Sequence, residues 1–325
     1  MHDFSVVIPV RNRSKLLARA LVSLGKQKYR NFEVIVVDDG SAEDIRSVVS
    51  LFSSELEVRV LDGLGKGATS ARNLGTDAAL APFVAYLDSD DVFLPDKLQH
   101  VVELSSGDEA EIFVSPLHVW RGMPQVQLRP SRPPFQEEDI SEYYFVADQR
   151  MQTSSFVILT DLAKRVRWNE QLRKVQDPDF MIRLVRAGGR LRYVSKPLAV
   201  LYDINDGPRI SSSLFEDNIR EWLSLSDGIL TEKARKGFML YVLSYETRKR
   251  SLPEAFRLVV DNITAVHPKT TAKAVTRLLL SEDSAKYLAS LSTSLSRRRS
   301  ESSALVNYLT DIELEVHERL ASLRG

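Results

Sequence analysis

The chain has 325 residues, with 44 lysines and arginines against 44 aspartates and glutamates, and it has no cysteine. The absence of cysteine excludes disulfides, cysteine-ligated zinc, iron–sulfur clusters and thiol catalysis. A net charge near zero argues against nucleic acid as the main partner, because phosphate binding needs a basic field. We see no secretion signal and no apolar run of about 18 residues, so we expect a cytoplasmic protein of about two domains.

Short apolar runs alternate with helical patterns in the N-terminal part of the chain. Phe4–Val10, Phe32–Asp38 and Phe83–Asp88 are rich in apolar and β-branched residues without alternation, which predicts strands buried on both faces. Apolar residues at helical spacing lie between these runs, so the order predicts βαβ units and a mostly parallel sheet. Ligands of such sheets bind at the carboxyl ends of the strands.

The middle of the chain has a more mixed pattern. Ile112–Val119 and Phe156–Leu159 are predicted as strands, and the proline-rich stretch Arg129–Glu138 is predicted as a loop. Pro178–Ala187 has proline at its start and apolar residues on one face. We therefore expect a helix that begins just after Asp177.

From about Ser211 onward the sequence predicts helices only. The clearest helix carries an apolar stripe at heptad-like spacing, formed by Leu305, Leu309, Ile312, Val316 and Leu323. Such a stripe is typical of a helix packed on its own domain, and it also suits a homodimer seam through the C-terminal helices. The serine-rich stretch before it, residues 290–303, contains Arg297–Arg299. That stretch favours a solvated loop, with contact to anionic lipid as the alternative.

Clusters of carboxylates follow the second and third predicted strands. They are Asp38–Ser41 (DDGS) and Asp88–Asp91 (DSDD). Carboxylates crowded at one edge of a sheet repel each other, and a divalent cation would relieve that repulsion. Oxygen ligands suit Mg²⁺ or Mn²⁺, which also bind phosphate oxygens. A single cluster would equally suit a helix cap or a turn, but two clusters on successive buried strands favour a ligand site.

Four segments carry a family resemblance. They are Phe4–Asn12 (FSVVIPVRN), Asn31–Ser41 (NFEVIVVDDGS), Ala71–Gly75 (ARNLG) and Leu87–Leu98 (LDSDDVFLPDKL). Together they resemble the family 2 glycosyltransferases, inverting enzymes that use nucleotide sugars. The resemblance implies an α/β GT-A fold, a Rossmann-like mostly parallel sheet flanked by helices, over residues 1–210. It divides that catalytic domain into a nucleotide-binding half (1–115) and an acceptor-binding half (116–210), followed by an α-helical C-terminal region (211–325).

The resemblance also implies a role for each matching residue. Asp177 matches the general base, and Asp90 in the motif Asp88-Ser89-Asp90 matches the ligand of a metal that bridges two phosphates. Asp88 would share that metal, Mn²⁺ or Mg²⁺, and Asp91 would support the motif from behind. The positions that match donor-binding residues are Pro9, Arg11, Asp39, Arg72, Asp88 and Ser89.

Two positions depart from the family pattern. Gln176 stands where the family has a glutamate before the base, which we interpret as a changed acceptor or supporting contact. The run Tyr202–Asn205 (YDIN) stands where many relatives have Tyr-Arg-x-His. Asp203 or Asn205 would then replace the histidine that can reach the metal.

The chain length and helical tail resemble bacterial exopolysaccharide glycosyltransferases of the succinoglycan type. That resemblance implies UDP-glucose or UDP-galactose as donor and a saccharide hydroxyl, carried on undecaprenyl diphosphate, as acceptor. It also implies peripheral contact with the inner face of the cytoplasmic membrane. The alternative is a non-catalytic scaffold that binds nucleotide sugars, which the missing histidine favours. A nucleotidyltransferase or a Rossmann oxidoreductase is disfavoured, because Pro9–Arg13 (PVRNR) has no glycine after the first strand.

Overall fold

A computed structural model describes residues 2–107, 109–122, 126–204, 216–280 and 299–323. Within these ranges the chain forms a seven-stranded and a four-stranded β-sheet with helices packed around them. The strands are β1 (Phe4–Val10), β2 (Phe32–Asp38), β3 (Val58–Asp62), β4 (Phe83–Tyr86), β5 (Val92–Phe93), β6 (Ile112–Val114), β7 (Leu117–Trp120), β8 (Gln127–Arg129), β9 (Phe156–Leu159), β10 (Leu191–Tyr193) and β11 (Ala199–Tyr202). The helices are α1 (Ser14–Gly25), α2 (Ile45–Ser50), α3 (Ala68–Ala78), α4 (Lys97–Ser105), α5 (Ile140–Phe145), α6 (Thr160–Val166), α7 (Gln176–Arg186), α8 (Glu216–Leu225), α9 (Glu232–Phe238), α10 (Ser244–Thr247), α11 (Leu252–Asn262), α12 (Pro268–Leu279) and α13 (Arg299–Ala321).

The large sheet has the order β10-β6-β9-β4-β1-β2-β3. All its pairings are parallel except those of β9, which runs antiparallel to both β4 and β6. Phe4 on β1 lies opposite Phe32 on β2 and Phe83 on β4, so the three strands start level. Their carboxyl ends therefore meet at one edge of the sheet, as the predicted mostly parallel sheet requires.

Alternate residues of the central strands belong to two different cores. Phe4, Val6 and Ile8 of β1 pack with α1, α2, α4, α13 and the small sheet. Val7 faces the other way and packs with α3, α5, α6, α7, α8 and α9. Both faces of β1 are thus covered, which explains why its seven residues are all buried and read as one continuous apolar run.

The small sheet, in the order β5-β11-β7-β8, supports the segment that follows β4. β5 begins directly after Asp91 and pairs antiparallel with β11, with Phe93 opposite Ala199. The backbone N–H of Tyr202, on β11, donates a hydrogen bond to Asp91 (3.2 Å). Residues far apart in the sequence therefore hold the acidic segment Asp88–Asp91 in place.

The C-terminal helices pack in two separate places. Trp222 of α8 and Phe238 of α9 join the core on the α7 side of the large sheet. The π-helical turn Met239–Leu243 connects α9 to α10, and with α11 and α12 it forms a smaller core of its own. Among the described residues, all regular elements after residue 204 are helical, as predicted.

Helix α13 returns to the N-terminal part of the chain and packs against α1. Leu305, Leu309, Ile312 and Val316 are all buried in the same core as α1, and Ile312 and Val316 are fully inaccessible. Tyr308 donates a hydrogen bond to the carbonyl of Phe93 (2.7 Å). The predicted apolar stripe therefore packs on its own chain, and these four side chains are not available for a homodimer seam.

Most predicted elements are confirmed, and two boundaries are wrong. β1, β2 and β9 have the predicted bounds, whereas β4 ends at Tyr86 and the short strands β3, β5, β8 and β10 were not predicted. Helix α7 begins at Gln176, so Asp177 lies inside its first turn rather than before it. The stretch Arg297–Arg298 lies outside the described residues. No helix in the described ranges is both long enough and apolar enough to cross a bilayer.

Candidate active site

A cleft of about 560 Å³ opens at the carboxyl ends of β1 and β4. One wall comes from the large sheet and α3, and the opposite wall from α7, the turn Thr153–Ser155 and the C-terminal helices. The predicted site residues that line it are Pro9, Arg72, Asp88, Ser89, Asp90 and Asp177. These predicted residues come from four separate parts of the chain and converge on one cleft.

Arg72 connects the two walls of the cleft. Its guanidinium donates to Asp88 Oδ1 (2.6 Å) and to Gln176 Oε1 (3.1 Å), and it lies 4.7 Å from the centre of the Trp168 ring. Burial lowers the pKa of Arg72, but the charges of Asp88 and Asp177 outweigh it and raise the pKa overall. Gln176 also donates to the carbonyl of Leu172, so its contacts hold Arg72 in place. This gives the glutamine a supporting role.

Asp90 is held by two arginines, one just before α1 and one within it. Arg13 donates to Asp90 Oδ2 (2.9 Å), and Arg19 donates to the Asp90 carbonyl (2.7 Å). The other carboxylate oxygen, Oδ1, accepts no hydrogen bond from the described residues. The same holds for Oδ2 of Asp88, whose Oδ1 binds Arg72. Each of these two aspartates therefore keeps one oxygen available to a ligand.

The turn Thr153–Ser155 holds the acidic segment Asp88–Asp91 in place by hydrogen bonds. Ser154 Oγ donates to Asp91 Oδ2 (2.6 Å) and accepts from the backbone N–H of Asp88 (3.1 Å). Burial, followed by the charges of Asp90 and Asp88, raises the pKa of Asp91 well above its usual value. Asp91 is 1% exposed and faces away from solvent, in keeping with the supporting role predicted for it.

Lys97 is a buried lysine that supports the same turn. Its ammonium donates to the carbonyls of Ser154 (3.2 Å) and Ser155 (3.3 Å) and lies 4.6 Å from the centre of the Phe93 ring. No carboxylate of the described residues pairs with it. Burial lowers the pKa of Lys97 to about 7. Sequence reasoning did not single out this residue, although it lies within the quoted motif Leu87–Leu98.

Asp177 lies in the first turn of α7, opposite Asp88. Thr153 Oγ1 donates to Asp177 Oδ1 (2.5 Å). Burial, only partly offset by the charge of Arg72, raises the pKa of Asp177 to about 6. The residue before the helix, Val175, has φ 55°, a left-handed conformation that a β-branched side chain rarely adopts. Strain of this kind is typical of functional sites, where the surrounding structure fixes the geometry.

The far side of the cleft is aromatic and basic. Its lining residues are Tyr144, Phe145, Arg150, Tyr241, Tyr245 and Arg277. The guanidinium of Arg277 lies 4.0 Å from the centre of the Tyr245 ring and 4.7 Å from that of Tyr241. Aromatic rings and hydrogen-bonding cations offer a surface for a saccharide. No motif in the sequence identified this group, since its members come from three separate segments.

Three predicted residues do not line the cleft. Arg11 is exposed to solvent, and its donor-binding role stays a prediction. Asp39 is buried beside the cleft, where Oδ2 accepts from the Gly67 N–H (2.7 Å) while Oδ1 accepts no hydrogen bond. Asp203 forms an ion pair with Arg121 (2.8 Å) and is not among the lining residues of the cleft. Its substitution for a metal-binding histidine stays a prediction, and Asn205 lies outside the described residues.

The donor set of Asp88 and Asp90 fits a hard divalent cation that keeps water and substrate ligands. Each carboxylate retains one oxygen without a hydrogen bond from the described residues, and both line the cleft. No group of three or more His, Asp or Glu side chains within the described ranges could hold a metal alone. A cation here would consequently need phosphate oxygens or waters to complete its coordination.

Comparisons with known proteins identify the class. The family model described as glycosyl transferase family 2 matches residues 5–171. The chain is 32% identical over 277 residues to the amylovoran biosynthesis glycosyltransferase AmsB of Erwinia amylovora, a match that covers 80% of this chain and 91% of AmsB. The chain therefore belongs to glycosyl transferase family 2 and is a glycosyltransferase.

Two further comparisons concern more distant proteins. Over 106 residues the chain is 33% identical to the UDP-Glc:alpha-D-GlcNAc-diphosphoundecaprenol beta-1,3-glucosyltransferase WfgD of Escherichia coli, covering 32% of this chain and 42% of WfgD. The fold resembles that of S. aureus TarS 1–349 in complex with UDP-GlcNAc, with a TM-score of 0.61 and 19% identity, covering 85% of this chain and 87% of that one. The fold is thus GT-A with C-terminal helices, as predicted.

Proposed function

We propose that this chain is an inverting hexosyltransferase of exopolysaccharide biosynthesis. It takes a hexose from a UDP-sugar, UDP-glucose or UDP-galactose, and adds it to a hydroxyl of a lipid-linked saccharide. The names of AmsB and WfgD support the pathway, a UDP-sugar donor and an acceptor on a diphosphate-linked lipid. The TarS complex is consistent with a UDP-linked donor in this fold.

The observation that carries the proposal is the position and environment of Asp177. It shares a cleft with Asp88, Asp90 and Arg72, and its pKa is raised to about 6 by burial. A carboxylate with such a pKa is ionised at neutral pH and still basic enough to accept a proton in a transition state. Asp177 is a single base without a paired nucleophile, which suits one displacement step.

The proposed reaction proceeds in that one step. The acceptor oxygen attacks the anomeric carbon while the Asp177 carboxylate takes the hydroxyl proton. The bond between the anomeric carbon and the diphosphate oxygen breaks, and its electron pair leaves with UDP. Attack opposite the leaving group inverts the anomeric centre. Thr153 holds the base at Oδ1, and Arg72 brings a positive charge close to the leaving group.

Asp90 and Asp88 are the proposed ligands of Mn²⁺ or Mg²⁺. The cation, when bound, would neutralise charge that develops on the diphosphate. Pro9, Arg11, Asp39 and Ser89 are proposed to bind the donor. Asp39 fits this role because its buried Oδ1 lacks a partner that a nucleobase N–H could supply.

The proposal includes the division of the chain into a catalytic domain (1–210) and a helical region (211–325). The regular elements described after residue 204 are helices, which supports that boundary. Contact with a membrane surface at the inner face of the cytoplasmic membrane follows from a lipid-linked acceptor. Binding of the protein to liposomes with and without anionic lipid tests this part.

Isothermal titration with UDP, GDP, dTDP and CDP, each with and without Mn²⁺, tests the donor class. Of the four nucleotides, we expect only UDP to bind tightly, and we expect Mn²⁺ to strengthen the binding of UDP. Incubation with UDP-glucose or UDP-galactose and a lipid-linked saccharide should then release UDP and give a β-linked product from the α-linked donor. Retention of the anomeric configuration would contradict the single displacement, and UDP binding without any turnover would favour a scaffold.

A further inference from the structure

A second cavity adjoins the far side of the cleft and is strongly basic. It has a volume of about 490 Å³ and lies between β8, the segment after α5 and the start of α12. The ionisable side chains that line it are Arg129, Asp148, Arg150, His267, Lys269 and Lys273. We call this cavity the basic pocket. Its four lysines and arginines face a single carboxylate, that of Asp148.

Asp148 is already engaged by two of these cations. It pairs with Lys273 (2.6 Å) and with Arg150 (3.3 Å). No side-chain hydrogen bond or ion pair joins the guanidinium of Arg129 to any described residue, and the side chain of Lys269 is likewise unpaired within them. The basic pocket thus has more positive charge than its own carboxylate can neutralise.

Arg129 is the least compensated of these cations. It is only partly exposed, and burial together with the charges of Arg150 and Arg121 lowers its pKa to about 10. A guanidinium away from water normally has a hydrogen-bond acceptor, because leaving its donors unmet is costly. The arrangement is unfavourable by itself and becomes favourable when an anion enters.

Helix α12 adds to the attraction for an anion. His267 is its N-cap, and Lys269 and Thr270 in its first turn line the basic pocket. The backbone N–H groups of its first turn are already paired, since that of Lys269 donates to His267 Nδ1 (3.2 Å) and those of Thr270 and Thr271 donate to the His267 carbonyl. The dipole of this twelve-residue helix nevertheless favours negative charge at its start. Arginine and lysine side chains at the positive end of a helix dipole are typical of sites for phosphate groups.

The basic pocket adjoins the active-site cleft. Arg150 and Tyr241 line both of them. Arg150 precedes Thr153, the partner of the base Asp177, by three residues, a span of about 11 Å at most in extended chain. The basic pocket is therefore close to Asp177. When the acceptor presents its hydroxyl to Asp177, a group roughly one or two sugar residues further along the same acceptor reaches the basic pocket.

We propose that the basic pocket binds the diphosphate group of a prenyl-diphosphate-linked saccharide acceptor. Arg129 and Lys269 bind the phosphate oxygens, and Arg150 lies where the saccharide meets the diphosphate. This inference rests on the proposed function, since it assigns the acceptor of the same reaction. It would make the acceptor side select substrates by their diphosphate as well as by their sugar.

The test uses farnesyl diphosphate and inorganic pyrophosphate as probes, titrated into protein already saturated with UDP and Mn²⁺ so that the donor site is filled. We expect farnesyl diphosphate to bind, with about tenfold weaker affinity in Arg129→Gln because one charge-assisted contact is lost. Lys269→Gln, an exposed change that spares the core, should weaken it about threefold. Arg257→Gln, on the exposed face of α11, is the matched control and should leave the affinity unchanged.

A kinetic comparison separates this inference from the proposed function. Transfer is measured to one saccharide in two forms, as its prenyl diphosphate and as its octyl glycoside. We expect Arg129→Gln to raise KM about tenfold for the diphosphate form only, with kcat and the KM for the octyl glycoside unchanged.

Two results would overturn the inference while the proposed function stands. One is transfer to both forms with equal KM changes in Arg129→Gln. The other is Arg129-dependent binding of pyrophosphate with no binding of farnesyl diphosphate, which would assign the pocket to a free anion. Conversely, Arg129-dependent binding of farnesyl diphosphate without transfer from any UDP-sugar would support the pocket and contradict the proposed function.

Discussion

The proposed donor side and the proposed acceptor side of the cleft are assembled from the chain in different ways. Pro9, Arg72, Asp88 and Asp90 all come from the first 107 residues, at or just after strands of one sheet and on the helix α3. The acceptor side combines Arg150 before β9, Asp177 on α7, Tyr241 and Tyr245 around α10, and Arg277 on α12. One side is local in sequence, and the other is brought together only by packing.

The family model covers these two sides unequally. The family model covers residues 5–171, which include the donor side and end before Asp177. The helices that complete the acceptor side lie beyond it. We therefore expect changes on the two sides to affect separate quantities, donor affinity on one and acceptor KM or proton transfer on the other.

The largest expected effect is that of Asp177→Asn. The amide cannot accept the hydroxyl proton, so transfer should fall by about 10²- to 10⁴-fold while the affinity for UDP with Mn²⁺ is unchanged. Steady-state kinetics and isothermal titration measure the two quantities. Asp161→Asn, an exposed acidic residue at the start of α6, is the control and should alter neither. Loss of UDP binding in Asp177→Asn would contradict the expectation that changes on the acceptor side leave donor affinity unchanged.

Asp90→Ala tests the donor side. Removing the carboxylate should weaken UDP binding in Mn²⁺ by about tenfold or more, since a charged ligand to the cation is lost. Binding should also become insensitive to EDTA. Asp62→Ala, at the exposed end of β3, is the matched control. If Asp90→Ala kept the full effect of Mn²⁺ on UDP affinity, Asp90 would not be a metal ligand.

The pH dependence should differ between the two sides. The pKa of Asp177 is raised to about 6, so the base becomes protonated as the pH falls through that value. Below about pH 6, kcat/KM should drop roughly tenfold per pH unit, because only the ionised form accepts the proton. UDP affinity should stay nearly flat over the same range. If the residual activity of Asp177→Asn still falls below about pH 6, the titrating group is a residue other than Asp177.

Tyr245→Ala tests the aromatic wall of the acceptor side. Loss of the ring should raise the acceptor KM by about three- to tenfold, since a buried aromatic contact contributes on the order of 1 kcal/mol. UDP affinity should be unaffected. Tyr245→Phe keeps the ring and should behave as the wild type does. An equal KM for both variants would show that the ring makes no contact with the acceptor.

The smallest expected effect concerns Lys97, which links the two sides beneath the cleft. Its pKa is lowered to about 7 in the folded protein, whereas the unfolded chain keeps a normal lysine. Between pH 7 and pH 9 the unfolded state therefore binds more protons, and the free energy of unfolding should rise by about 1 kcal/mol per pH unit. Urea denaturation at pH 7, 8 and 9 measures this slope.

In Lys97→Met, which cannot titrate, that slope should be largely lost. Lys15→Met, an exposed lysine on α1, serves as the control and should keep the wild-type slope. A wild-type slope that survives in Lys97→Met would mean that the ammonium keeps an ordinary pKa in the folded state.

The sequence determined much of the sheet and of the donor side. β1, β2 and β9 have their predicted bounds because a strand buried on both faces leaves a continuous apolar run. The acidic residues Asp88 and Asp90 could be placed because carboxyl ends of parallel strands meet at one edge. The short strands β5, β8 and β10, of two or three residues each, left no such pattern.

Only the tertiary structure decided the partners of these residues. The stripe that includes Ile312 suited either a dimer seam or an intramolecular contact, and its burial against α1 chose the second. The periodicity of a helix records which face is apolar but not which surface covers that face. The same reason hides Thr153 and Arg129 from sequence reasoning, since their roles depend on residues that packing brings near from distant parts of the chain.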